Sequence, residues 1–106
     1  MLAHNVYFTL KDNSDAAAAA LVAACRKSLT GHPGTIFFAC GTRCGALNRP
    51  VNDRDFDVAL HVIFDSSESH DQYQDAPRHH QFLAENRGNW AQVRIFDSEV
   101  EGPEAG

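Results

Sequence analysis

Two side chains of this 106-residue sequence could act on one substrate together. They are Tyr73 and His79, six residues apart with Pro77 between them. An imidazole titrates near neutral pH, so it can take or give a proton in catalysis. A tyrosine hydroxyl beside it can donate a hydrogen bond to a carbonyl. Pro77 interrupts the local helical pattern, and that break would turn the Tyr73 hydroxyl toward a cavity that His79 also faces. His79 is then third in the helix that Pro77 opens. The partial positive charge of a helix N-terminus disfavours imidazolium there, while Asp75 favours it. A second reading of both residues stays open. A histidine at a helix start also caps or packs, and a tyrosine on an amphipathic helix is also a core residue with its hydroxyl satisfied.

Other chemistry-bearing groups are less pointed. His70, His79 and His80 are imidazole donors, but their spacing matches no zinc pattern, so no metal and no cofactor are expected. Asp53-x-Asp55-x-Asp57 opens like a calcium loop and then fails it. Val58 stands where the glycine is needed, and Phe64 where the last glutamate is needed. Arg43, Arg49 and Arg54 form a locally basic stretch, either a solvated rim or a guide for an anionic ligand. No phosphate-binding glycine loop and no serine nucleophile motif is present. Cys25, Cys40 and Cys44 are odd in number and match no redox or metal spacing. Reduced thiols in a cytoplasmic protein are the simplest reading, with a Cys40–Cys44 disulfide as the alternative.

The elements that must position these groups follow from periodicity. His4 to Leu10 alternates as a strand, with His4, Val6, Phe8 and Leu10 on one face. Asp12-Asn13-Ser14 supplies cap residues for a helix over Asp15 to Leu29. That helix carries the alanine run 16–20 and stops before Gly31 and Pro33. The run either forms helix well or leaves room between helix and sheet. Thr35 to Gly41 reads as a second strand, and Arg43 to Arg54 as a long polar connection, variable or mobile. Asp55 to Phe64 is a third strand. Phe56, Val58, Leu60, Val62 and Phe64 share one face, and Asp57, Ala59, His61 and Ile63 the other. His61 is therefore a core or interface histidine. Asp65 is expected to open a capping box for Ser67 to Asp75, and Pro77 to Asn86 forms a second helical piece. Ala91 to Asp97 is a last strand. The acidic residues 99–106 are expected to be a disordered tail.

The order β-α-β-β-α-β predicts an α+β, ferredoxin-like sandwich in one domain, residues 1–98. Helices cover one face of such a sheet only. The third strand is apolar on both faces, so the second face needs a partner, and a homodimer is expected. The composition, 43% hydrophobic and 22% charged, is that of an ordinary soluble domain. A net charge of -5 argues against nucleic acid as a partner. No apolar run is long enough to span a membrane, and the first residues lack the features of a signal peptide.

Several of these residues also resemble a family pattern. Phe56-Asp57 opens the third strand, Phe64-Asp65-Ser66-Ser67-Glu68 opens the next helix, and Tyr73, Pro77 and His79 follow at fixed spacing. With His4, Gly41 and Asp97 the ordered set resembles the stress-responsive α/β-barrel (Dabb) family over about residues 1 to 98. The resemblance implies a dimeric α+β barrel built by packing two sheets face to face. A plant polyketide cyclase of that family uses a histidine matching His79 and a tyrosine matching Tyr73, with a first-strand histidine matching His4. Two further histidines of that enzyme fall here on Ala76 and Val58. The resemblance thus implies His4, Tyr73 and His79 as ligand-binding residues for a small molecule held between helices and sheet. A cyclase- or lyase-like enzyme using His79 and Tyr73, and a purely structural dimerisation module, are the alternatives.

Overall fold

A computed structural model describes residues 1–104; Ala105 and Gly106, the end of the expected tail, lie outside the described residues. The order is β1 (Leu2–Leu10), α1 (Asp15–Ser28), β2 (Thr35–Thr42), β3 (Val58–Phe64), α2 (Ser67–Asp75), α3 (Pro77–Asn86) and β4 (Trp90–Glu99), with a short 3-10 turn at Arg87–Asn89. The strands form one antiparallel sheet in the order β2-β3-β1-β4. This is the ferredoxin-like α+β arrangement expected from the alternation. All helices lie on one side of the sheet. Val6, Phe8 and Leu10 of β1 and Val58, Leu60, Val62 and Phe64 of β3 meet Leu21, Cys25 and Leu29 beside them from α1 and its end, Tyr73 of α2 and Phe82 of α3. Of the alanine run only Ala18 is buried, so most of the run serves helix formation rather than packing.

Helix boundaries follow from local chemistry. The Ser14 hydroxyl accepts from the Ala17 N–H at 3.2 Å and starts α1. At α2 the cap is Ser66, accepting from the Ser69 N–H at 3.2 Å, and not Asp65 as expected. Asp65 is still tied to the preceding chain, because its N–H donates to Gly34 O at 2.9 Å. Its carboxylate instead accepts from the Ser69 hydroxyl at 2.6 Å. Between α2 and α3, Ala76 is extended (φ -65°, ψ 141°), as the residue before a proline prefers, and Pro77 takes the first position of α3. Arg78 then donates to Lys27 O at 2.8 Å and Thr30 O at 2.9 Å. It closes the carbonyl end of α1 with positive charge and fixes the start of α3 against it.

Three further expectations change. β3 begins at Val58, and Phe56 packs against Tyr7 on the outer face of the sheet, opposite to Val58. The cause is Asp57. Its N–H donates to Phe8 O at 2.7 Å and its carboxylate accepts from the Leu10 N–H at 2.8 Å, so a side chain replaces part of the ladder and the alternation is lost there. The 43–57 connection is tied down: Arg43 donates to Arg54 O at 2.9 Å, and Arg94 holds Asp53 at 2.7 Å. β4 runs from Trp90 to Glu99, longer at both ends than the expected Ala91 to Asp97. Met1 and Val100 then exchange backbone bonds of 2.9 and 3.1 Å. Cys25, Cys40 and Cys44 are all free thiols. Among the described residues no helix is long and apolar enough to cross a membrane.

Candidate functional site

Tyr73 is the centre of a ring cluster on the helix side of the sheet. His79 lies 4.8 Å from it between ring centroids, His32 5.0 Å, Phe64 5.0 Å, His4 6.0 Å and His70 6.4 Å. Tyr73 and His70 are three apart on α2 and so share a face. Tyr73 and His79 would stand about 240° apart on an unbroken helix, six residues at about 100° each. The extended Ala76 resets that angle and lets α3 bring His79 back onto Tyr73. The expected pairing of Tyr73 and His79 across Pro77 is therefore present, and it results from the proline break.

His4 enters from β1, directly opposite Asp97 of β4 in the sheet register. Its Nδ1 makes a 2.5 Å hydrogen bond with the Asp97 carboxylate. The pKa of His4 is lowered, chiefly by burial; the hydrogen bond and charge of Asp97 oppose this, and His70, 4.7 Å away, lowers it further. His79 is lowered from 6.5 to about 4, first by burial and then by the neighbouring imidazoles of His80, His4, His32 and His70. Burial pushes the Tyr73 phenol up. At neutral pH His4 and His79 are thus neutral rings beside a neutral phenol. His79 Nδ1 is buried and has no hydrogen-bond partner. His32, by contrast, is satisfied through Nε2 and Ser28 O at 2.8 Å.

The interior expected to hold a cavity is occupied by these rings: Tyr73 is 2%, His4 3% and His79 7% exposed. Of four clefts that indent the surface of the described residues, none is lined by His4, Tyr73 or His79. One, of about 300 Å³, lies on the outer sheet face beneath the 43–57 connection, bounded by Tyr7, Arg43, Phe56, Arg94 and Phe96. It is on the opposite side of the sheet from the ring cluster, and its Arg43 and Arg94 are engaged within the chain. The helices cover Trp90 and Val93 of β4 and leave Ile95 uncovered. Ile95 is paired with Val6 and so faces the helix side, yet it is 54% exposed. An apolar margin therefore borders the cluster next to Asp97.

His32 and the His4–Asp97 contact were not legible as site features. The loop holding His32 carries no motif, and the contact depends on the register of strands whose paired residues are 93 positions apart. The other histidine expected to stand apart, His61, is on the outer face and is bonded to Asn5 Oδ1 at 2.7 Å. Asp53, Asp55 and Asp57 do not converge on a calcium site. Asp53 accepts from Arg94 and the Asp55 N–H, and Asp57 accepts from the Leu10 N–H.

Comparison with solved structures places the fold among small proteins of similar size. A dimeric ferredoxin-like protein of unknown function from Thermobifida fusca matches at TM-score 0.78 and 20% identity, over 93% of this chain and 90% of that one. A Dabb family protein with a ferredoxin-like fold from Mesorhizobium loti matches at 0.77 and 20%, over 95% and 97%. A hydroxynitrile lyase from Passiflora edulis matches at 0.75 and 18%, over 98% and 96%. A comparison with curated protein sequences gives no match. At these identities the structural likenesses establish the fold alone. The family follows from sequence: residues 2–100 match the model of the stress responsive A/B barrel domain, Dabb, and the chain belongs to that family.

Proposed function

We propose that this chain is a homodimeric Dabb domain in which each subunit binds a small hydroxylated molecule at the cluster of His4, Tyr73 and His79. The observation that carries the ligand site is the orphaned Nδ1 of His79. An unpaired buried polar atom costs about 1–3 kcal/mol, and a ligand that pairs with it recovers that cost. A hydroxyl both donates and accepts, so it suits either imidazole tautomer. The uncovered margin at Ile95 offers apolar surface for the rest of the ligand. Tyr73 is the only buried residue of α2, so that helix has little to hold it when the rings part to admit a guest.

The cyclase- or lyase-like alternative is less well supported. A general base works best with a pKa near the working pH. His79 at about 4 is a weak base, and a buried phenol raised above its usual value is a weak acid. The free thiols of Cys25, Cys40 and Cys44 fit a reducing compartment, and cytoplasmic residence belongs to the same proposal.

Phenol is the simplest planar probe of the site. Titrated into the protein and followed on the His4 and His79 imidazole resonances by NMR, it should give saturable shifts, and those of His4 should vanish in His79→Ala. Linear, non-saturating shifts at millimolar phenol would leave the purely structural dimerisation module as the better reading.

A further inference from the structure

We propose that His4, His70 and Asp97 together form a binding site for a divalent transition metal ion of the zinc or cobalt type. One ligand atom from each of the three residues lies within 4.8 Å of the other two. The donors come from three elements, β1, α2 and β4, which the fold brings together at the open margin of the sheet. Two imidazoles and a carboxylate make a donor set that zinc, cobalt and iron accept, and that calcium and magnesium do not favour.

The arrangement has a closed side and an open side. His4 is buried, His70 is half-buried, and Asp97 is exposed at the sheet margin, so an ion reaches the donors from the Asp97 side. With metal–ligand bonds of about 2.0–2.1 Å, neighbouring donors of a tetrahedral ion stand about 3.3 Å apart. The 2.5 Å contact between His4 and Asp97 must open by less than about 1 Å, and His70 must close by up to about 1.5 Å to reach that spacing. The movement carries the His70 ring past its packing neighbours His4 and Phe64, at 4.7 and 5.6 Å between centroids, and gives up only weak polar contacts, with the Gln74 amide at 3.3 Å and the Asp71 carboxylate at 3.7 Å. Three protein ligands leave a fourth position for water or another ligand. Spacing in the sequence has no way to show this set, because its members are residues 4, 70 and 97.

Cobalt provides a direct readout, because its visible ligand-field bands report the donor set. Untagged protein titrated with Co²⁺ should develop these bands to a saturating single equivalent, and Zn²⁺ should then bleach them. His70→Ala and Asp97→Asn should each weaken Co²⁺ binding at least about tenfold, while replacement of the exposed His80 by Ala should leave it unchanged. Circular dichroism of each variant checks folding, and His70→Gln serves where the alanine variant is unfolded. No saturating band in the wild type, or bands that survive both His70→Ala and Asp97→Asn, would overturn the site. The metal site shares His4 with the proposed ligand cluster but does not rest on it. His79→Ala, which removes the orphaned nitrogen, should leave the cobalt titration intact, so each idea fails on its own experiment.

Discussion

His79 ties the cluster to stability through its proton. Its ring is faced by His4, His32, His70, His80 and the Tyr73 phenol, and it is lowered from 6.5 to about 4 in the folded chain. As the pH falls through 6.5, the unfolded chain takes up a proton that the folded chain refuses until near 4. Protonation therefore favours the unfolded state across that window. The stability held above pH 6.5 is lost on the way down, to a total of about 3 kcal/mol, with about 2 kcal/mol of it gone by pH 5. His4 is lowered too and adds to the loss in the same direction. Urea unfolding at pH 7 and pH 5 should show the wild type losing this much, and His79→Asn, which has no proton to take up, losing distinctly less. An equal loss in both proteins would mean that the acid sensitivity lies elsewhere. The same residue explains why only part of the site was legible in the sequence. Tyr73 and His79 are close in sequence and separated by a proline whose effect on the backbone is known in advance. The orphaned nitrogen depends on which atoms of other elements and loops surround the ring, and no local pattern carries that.

At the scale of elements, the loop between α1 and β2 decides where α2 begins. Gly34 has a φ of +83° and accepts from the Asp65 N–H, and a Cβ there would sit 2.1 Å from Ser69 Oγ. Gly31 is the control. Its φ is +73°, but nothing lies within 4 Å of a Cβ placed on it. Gly34→Ala should lose about 1–3 kcal/mol more in urea unfolding than Gly31→Ala, since both share the backbone strain and only one meets the helix start. Equal losses would reduce the role of Gly34 to its dihedral angle. The elements themselves were readable, because alternation in β1 and β3 and the Pro77 break act locally. Structure and periodicity part where a side chain stands in for backbone. Asp57 takes the Leu10 N–H and turns Phe56 to the outer face, and Ser66 caps α2 while Asp65 is still bound to Gly34. Such substitutions involve residues dozens of positions away, beyond the range of periodicity.

The whole molecule is a slab, 41 by 36 by 18 Å, with helices on one side only. Its bare side carries Phe37 and Phe96, each 52% exposed, around a centre where Tyr7 packs against Phe56, His61 and Phe96. Water gains little from this face. The polar pair at its middle, His61 and Asn5, shares a hydrogen bond of 2.7 Å, which leaves the second ring nitrogen of His61 and the Asn5 amide N–H2 to pair with groups on a covering copy. A face with apolar rings around an internally bonded polar pair is suited to burial against its own copy. A stable interface of ordinary size buries about 800 Å² on each partner, which a four-stranded sheet face of these dimensions accommodates. Two-fold symmetry would set like face on like face without leaving an open surface for further copies. Light scattering at micromolar concentration should give twice the chain mass of 11.7 kDa for the wild type. Phe96→Asp should give the single chain mass with an unchanged circular dichroism spectrum, because the replaced ring is half-exposed in the isolated subunit and a charge on a face buried between copies would be left unpaired. A monomeric wild type would refute the interface outright. A dimer that withstands both Phe96→Asp and Phe37→Asp would place the contact on another surface, and the outer sheet face would then need a different occupant to explain its composition.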